Sequence, residues 1–210
     1  DYNGIRLRWE RHTEFVSYTF LEPLLAQTPS TKNAWDGIDT QWLARIPGQL
    51  ISSTRVDILT DDEETVRQHA TGLLTPEIVV NSLIGNEQYA LYGDLRHKAD
   101  GTVHYVIGVG RNAKPRRIGR YLQRVLEIET YRLMALISLP NARDAARRLQ
   151  EAETGLAKLS QKLSAMERDQ ESSILDEITA LATRIESIYA SSYTRFSASA
   201  AYHQLVIARV

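Results

Sequence analysis

Cysteine is absent from the 210-residue chain, which excludes disulfide bonds, thiolate zinc sites and thiol nucleophiles. Long apolar runs are also absent, because the longest, residues 133–137, is far shorter than the ~18 residues of a membrane-spanning helix. No signal-peptide pattern opens the sequence. Positive charge is not in excess either, since 25 basic residues stand against 26 acidic ones. A general nucleic-acid binder needs that excess, so nucleic acid is not an expected partner.

Glycine and proline are scarce in the second half of the chain. Ten of the eleven glycines lie at or before Gly119, and no proline follows Pro140. Turns are therefore concentrated in the first half. With 43% apolar residues, the chain can build a real core. The sequence predicts an α+β fold. Residues 1–139 are expected to form an antiparallel sheet with packed helices, and residues 140–210 are expected to form a long, coiled-coil-like helical hairpin.

Alternating apolar residues predict the strands of the first half. Apolar residues occupy the odd positions of residues 5–9 and the even positions of residues 16–20. One strand cannot place both sets on the same face, so a bulge or tight reversal is expected near residues 11–14. Residues 49–59 predict another strand, followed by a capping box at residues 60–63 and a short helix to about Thr71. Apolar runs at 78–84, 89–95 and 103–109 are separated by turn signals at 85–86 and 100–101, which predicts an antiparallel meander.

Helical spacing dominates from Pro115 onward. The first helix has apolar residues on nearly every side, so it is expected to be central and buried. Beyond Pro140, apolar residues recur every three or four positions, with a polar interruption that predicts a turn near residues 167–173. Nine basic and nine acidic residues balance over residues 141–210, as on a solvated helical pair. These arms are expected to bind a protein partner or a second copy of the chain.

The stretch RWERHTEF, residues 8–15, concentrates chemically active side chains. In a strand, Glu10, His12 and Glu14 share one face, where a carboxylate and an imidazole can act together in hydrolysis or hold a metal. The alternative is a charged strand face paired with nearby arginines. No second source of metal ligands stands out, so no metal site is predicted. His69 and His97 are expected on helix and turn surfaces.

Acidic residues interrupt the apolar helix that follows Pro115. Glu129 falls on the apolar stripe, and a buried carboxylate needs a partner. The preferred partner is Arg132, three residues further along the helix, and an arginine of the opening strand is the alternative. A catalytic role for Glu129 is the other interpretation.

A basic cluster precedes and opens the same helix. No acid lies among its members, although cations oppose the helix dipole at this end. The cluster predicts either an anion-binding surface or a solvated face neutralised within the fold. Its members are Arg111, Lys114, Arg116, Arg117, Arg120 and Arg124.

The segment Gly108 to Ala113 matches the dinucleotide-binding pattern G-x-G-x-x-A. Its context excludes that function, because the required second parallel strand does not follow and about ninety residues of helical pattern do. No cofactor is therefore predicted.

Two segments, RWERHTEF (residues 8–15) and RVLEIETYRLMAL (residues 124–136), resemble a bacterial family of uncharacterised, predicted membrane-anchored proteins with a domain of unknown function. The resemblance runs through most of the chain. It implies a longer protein with a hydrophobic anchor outside this sequence and a soluble part in the cytoplasm. From the start at Asp1 and the stop within a helical pattern, we also expect a fragment of a longer protein. The family brings no catalytic residue to transfer.

Three functions follow from these patterns. The first is a non-enzymatic scaffold or interaction module of a membrane-anchored protein, acting through its helical arms. The second is a metal-dependent or carboxylate and histidine hydrolase that uses the face of Glu10, His12 and Glu14. The third is a sensor of anionic ligands or lipid surfaces through the basic cluster.

Overall fold

The computed structural model describes residues 4–23, 34–75, 80–84, 89–110, 113–164 and 171–209. Its strands are β1 (Arg6–Arg11), β2 (Val16–Leu21), β3 (Ser53–Leu59), β4 (Val80–Ile84), β5 (Tyr89–His97) and β6 (Thr102–Val109). Its α-helices are α1 (Thr40–Ala44), α2 (Glu63–Leu73), α3 (Pro115–Leu136), α4 (Leu139–Ser164) and α5 (Glu171–Ile207), with a short 3-10 helix at Ala34–Gly37. The chain divides into two compact units, Asp1–Leu126 and Glu127–Val210. The predicted α+β class is confirmed.

Strands β1 and β2 form an antiparallel hairpin, in which Trp9 lies opposite Tyr18. The backbone N–H of His12 donates to the carbonyl of Phe15 at 2.8 Å and closes the reversal between the strands. The reversal expected from the change of parity is therefore confirmed. Trp42 of α1 packs edge-on against Tyr18, with 6.2 Å between ring centroids, and covers part of the hairpin's apolar face.

The second sheet has the strand order β3-β6-β5-β4. Strands β4, β5 and β6 pair antiparallel, which confirms the meander. The sheet is mixed, however, because β3 pairs parallel with β6, with Ser53 beside Thr102. An antiparallel sheet was the wrong expectation for this edge, since periodicity along one strand carries no information on its partner. Gly101 has a φ of 78° in the turn before β6, as its predicted role requires. The turn signal at 85–86 lies outside the described residues.

Both faces of this sheet are covered by helices. Alternate side chains of β6 point to opposite faces, so Val106 packs with Val66 and Ala70 of α2. Ile107 instead joins the cluster that contains Val125 of α3. Gly108 permits a close approach of α2, because a Cβ at this position would lie 2.8 Å from Val66 Cγ1. The first unit therefore has an apolar core on each side of the sheet.

Helix α2 begins differently from the prediction. Asp62 is its N-cap, and the Asp62 side chain accepts a hydrogen bond from the Thr65 N–H at 2.9 Å. The predicted capping box started at Thr60, two residues too early. Asp61 and Asp62 are both residues that can cap a helix, and it is Asp62 that accepts the hydrogen bond from the Thr65 N–H. The helix continues to Leu73, slightly beyond the predicted end.

Helix α3 starts at Pro115 as predicted. Ile118, Leu122 and Val125 pack against the sheet, while Arg116 and Arg120 are exposed. The expectation of an apolar surface on nearly every side is therefore wrong for the first turns, where the helix has two distinct faces.

Helices α4 and α5 pack against each other in the second unit. Glu151 pairs with Arg184, and Lys162 pairs with Glu177, so the two helices run antiparallel. Of the turn predicted near residues 167–173, residues 167–170 lie outside the described residues, and residues 171–173 already belong to α5. Among the helices described, none is both long enough and apolar enough to cross a membrane.

Candidate functional site

The three candidates of RWERHTEF do not share a strand face. Glu10 lies on β1, whereas His12 and Glu14 belong to the reversal that follows. The Glu10 carboxylate accepts a hydrogen bond from Arg8 Nη2 at 2.7 Å, and His12 stacks on Phe15 with 4.2 Å between ring centroids. The shared-face expectation is wrong because the chain turns between the first and second candidates. No group of three potential metal-ligating side chains occurs among the residues the structure describes.

Glu129 is completely buried in α3. Its carboxylate accepts hydrogen bonds from Arg132 Nη2 at 2.7 Å and from Arg132 Nε at 3.2 Å. The preferred ion-pair partner is therefore confirmed. A bidentate guanidinium holds the carboxylate in a fixed orientation, which is the arrangement of a structural ion pair.

Glu127 is the other acid of α3, and it also binds an arginine. Arg209, beyond the end of α5, donates from Nε to the Glu127 carboxylate. The Arg209 guanidinium also lies over the Tyr131 ring, 5.1 Å from its centroid. Tyr131 in turn stacks with Tyr202 of α5 at 6.0 Å. These contacts fasten α5 to the second half of α3 through charge and aromatic packing.

The basic cluster is spread along the surface of α3. Arg111 lies outside the described residues. Lys114, Arg116, Arg117, Arg120 and Arg124 are all exposed, and none forms an ion pair with any part of the chain that the structure describes. We name these five residues the basic face. Within the described part of the first unit, no acid of the sheet forms an ion pair with the basic face.

A buried polar network, which the sequence interpretation missed, joins β3 to α2. Arg55 donates to both oxygens of Asp57, from Nε at 2.8 Å and from Nη2 at 2.9 Å. His69 Nε2 lies 2.8 Å from Asp57 Oδ2. The three side chains are 7%, 6% and 8% exposed. His69 was expected on a helix surface, and that expectation is wrong. A signal was present in β3, where charged Arg55 and Asp57 alternate with apolar residues.

His104 of β6 lies beside Arg55 in the strand register. Both ring nitrogens are buried, and neither has a hydrogen-bond partner among the described residues. Burial lowers the pKa of His104, and the positive charge of Arg55 lowers it further. The imidazole is therefore neutral at neutral pH.

The network has the elements of an acid and base pair, since a carboxylate orients an imidazole. In this structure all three side chains are buried. Asp57 binds Arg55 of its own strand and His69 of α2, so the network anchors α2 to the β3 edge. A depression of about 330 Å³ lies elsewhere, at the start of α4 beside Ser191 and Ser192 of α5. None of the candidates predicted from the sequence lines it.

Asp94 of β5 is a second buried carboxylate with several donors. It accepts hydrogen bonds from Lys98 Nζ at 2.6 Å, from the Thr75 N–H at 2.8 Å and from the Arg96 N–H at 3.1 Å. Burial alone would raise the pKa of Asp94, but these hydrogen bonds outweigh it and lower the pKa to about 2. The carboxylate thereby ties the end of α2 to β5.

We expect Asp94→Asn to lower the free energy of unfolding at neutral pH by about 2 kcal/mol. An acid whose pKa is lower in the folded state stabilises the fold above its unfolded pKa, which is near 3.9. That contribution is lost as pH falls through about 2, so the difference between the variant and the parent should shrink between about pH 4 and pH 2. Urea denaturation across this range measures it. Asp61→Asn, at an exposed site, is the control, and equal pH profiles for both variants would contradict the assignment.

Comparison with known proteins adds one finding. Neither the curated proteins nor the solved structures contain a match to this chain. One family model matches residues 1–210, the whole sequence, and no activity accompanies its description. The chain therefore belongs to the family described as "Protein of unknown function (DUF3422)".

Proposed function

We propose that this chain is a non-enzymatic interaction module that joins two copies of itself through the α4–α5 hairpin. The observation that carries the proposal is an exposed apolar surface on the hairpin. It consists of Leu149, Leu156 and Leu163 of α4 with Ile178 and Ile185 of α5, and we name it the arm face.

Two apolar series run along α4 with the same seven-residue spacing. Ala145, Ala152 and Leu159 are buried, as expected of residues packed against α5. Leu149, Leu156 and Leu163 instead remain 41%, 55% and 54% exposed. Both series of a heptad pattern are normally buried where helices pair. The exposed series therefore has the spacing of a helical contact that the hairpin itself does not complete.

The arm face lies on one side of the hairpin, opposite its ion pairs. On a helix, residues three and four positions after a buried residue fall on opposite flanks of it. Lys162 and Leu163 flank Leu159 in this way, and Glu177 and Ile178 flank Ile174. Lys162 binds Glu177 across the helices at 2.7 Å, so these two share one flank of the hairpin. Leu163 and Ile178 therefore lie together on the other flank.

The dimensions of the arm face suit a stable dimer. Helix α4 has 26 residues, which extend about 39 Å at ~1.5 Å per residue. Two helices side by side, each ~10 Å wide, present roughly 800 Å². A standard protein interface buries roughly 800 Å² on each partner.

A second copy is the occupant that matches the arm face best. A two-fold axis brings the seven-residue repeat of one arm against an identical repeat, so leucine spacing and helix length agree without a separate partner. Small uncharged residues border the leucines and permit close helix packing: Ala146, Ala157, Ser160 and Ser164. The resulting assembly is a four-helix bundle.

Light scattering coupled to gel filtration tests the proposal. At tens of micromolar, the chain of 23.8 kDa should elute with about twice that mass. Leu156→Glu places a charge in the centre of the arm face and should weaken association at least tenfold, giving the monomer mass.

Leu50→Glu is the matched control, because Leu50 is 81% exposed and lies outside the arm face. It should leave the dimer intact. Circular dichroism must show equal helix content in all three proteins. A monomeric parent, or a dimer that persists in Leu156→Glu, would contradict the proposal.

The setting implied by the family resemblance extends this proposal. We place the module at a membrane, held by a segment outside residues 1–210, with the described part on the cytoplasmic side and the paired arms linking two anchored chains. Fractionation of the full-length protein with and without such a segment tests this placement.

The hydrolase interpretation gains no support, since Glu10 binds Arg8 and stands apart from the turn that carries His12.

A further inference from the structure

The basic face of α3 is a continuous cationic surface. At ~100° per residue, Arg116, Arg120 and Arg124 are offset by only about 40° at each step, and Arg117 lies within the same arc of about 100°. Several other exposed arginines of the described chain are ion-paired, such as Arg67 with Glu64 and Arg147 with Asp144. The arginines of the basic face lack such partners among the described residues.

Three of these charges, on Lys114, Arg116 and Arg117, lie at the first turn of α3, where they are unfavourable for the helix itself. Cations near a helix N-terminus oppose the helix dipole, whereas acids stabilise it. Helix α2 follows the favourable rule with Glu63 and Glu64 in its first turn, and α5 begins with Glu171. Helix α3 has no acid in its first turn, and the sequence has none between Asp100 and Glu127. A bound anion would offset this repulsion.

We propose that the basic face binds clustered phosphate groups. Four of its five residues are arginines, whose planar guanidinium groups bind phosphate through two hydrogen bonds. A phosphate group carries one or two negative charges and two or three non-bridging acceptor oxygens, so a few phosphates satisfy several arginines at once. The phosphates can belong to lipid headgroups or to a soluble polyphosphate. This inference is independent of the arm face, because it rests on another helix.

The experiment uses the full chain and two probes. Sedimentation measures binding to phosphatidylcholine vesicles with and without phosphatidylglycerol, and calorimetry measures binding to tripolyphosphate. The triple variant Arg116→Gln, Arg120→Gln and Arg124→Gln should bind roughly a hundredfold more weakly, about fivefold for each arginine. Binding should also weaken steeply with salt, because the basic face is exposed.

The matched control neutralises the same number of exposed arginines that are ion-paired within their own elements: Arg8→Gln, Arg67→Gln and Arg147→Gln. Its net charge equals that of the triple variant, so a difference in binding between the two reports the location of the charges. Circular dichroism and thermal midpoints verify that both proteins are folded.

The outcomes with the two probes distinguish the possible sources of the phosphate groups. Binding to vesicles alone assigns the phosphates to a lipid surface, and binding to tripolyphosphate alone assigns them to a soluble anion. Binding to both supports recognition of clustered phosphate from either source. The proposal is overturned if neither probe binds or if the variant and the control bind equally. Equal affinity for a polyglutamate peptide would also overturn it, in favour of an acidic protein partner.

Discussion

Asp57→Asn should lower the free energy of unfolding by about 3–5 kcal/mol, the typical cost of breaking a buried ion pair from one side. The substitution retains the size of the side chain but removes its charge. Arg55 then stays buried without the carboxylate that accepts from its Nε and Nη2, and a single amide oxygen remains as acceptor for both Arg55 and His69. Because these contacts join β3 to α2, the loss should appear both in global unfolding and in faster amide exchange along α2.

Glu64→Gln is the matched control for this prediction. Glu64 also accepts two guanidinium donors, from Arg67, but the two side chains are 56% and 60% exposed. An exposed pair of this kind contributes little to stability, because water screens it, so the loss in Glu64→Gln should be far smaller than in Asp57→Asn. Urea denaturation of both variants provides the comparison. Equal losses would show that the network does not anchor α2.

Arg132→Met should cost about 3 kcal/mol, since it leaves the completely buried Glu129 without its bidentate partner. The methionine retains most of the apolar volume of the arginine stem. The double variant Glu129→Met and Arg132→Met should recover most of that loss, because an apolar pair of similar volume replaces the ions. Thermal and urea denaturation measure both variants.

Arg147→Met is the control with the same three-residue spacing, from Asp144 to Arg147, at an exposed site. It should leave the stability nearly unchanged, because water screens an exposed ion pair. If Arg132→Met were no more harmful than this control, Glu129 would not depend on Arg132, and its interpretation as a structural carboxylate would fail.

Local chemistry accounts for the parts of the fold that the sequence predicted well. Pro115 is a favoured first residue of a helix, and α3 starts there. The parity change after residue 9 requires a reversal, which His12 and Phe15 close. Arg132 is within reach of Glu129 because residues three apart are neighbours on a helix. Each of these features depends on residues a few positions apart.

The features that were missed depend on distant residues. The pairing of β3 with β6 joins positions 49 apart, and nothing in either strand specifies its neighbour. His69 meets Asp57 across twelve positions, after α2 has folded back over the sheet. Its helical surroundings suggested an exposed imidazole, and the packing of α2 on β6 buries it. The basic face was identified from sequence, but the absence of ion pairs there required coordinates for the surrounding residues.

The parallel placement of β3 beside β6 also implies an order of assembly. Hairpins such as β5–β6 close over a few residues, whereas β3 can join only after a segment of about fifty residues has been looped. That closure loses chain entropy before any of its contacts form. We therefore expect the meander to nucleate first and β3, with α2, to dock late. During synthesis, β3 emerges early and must wait for a template strand made later.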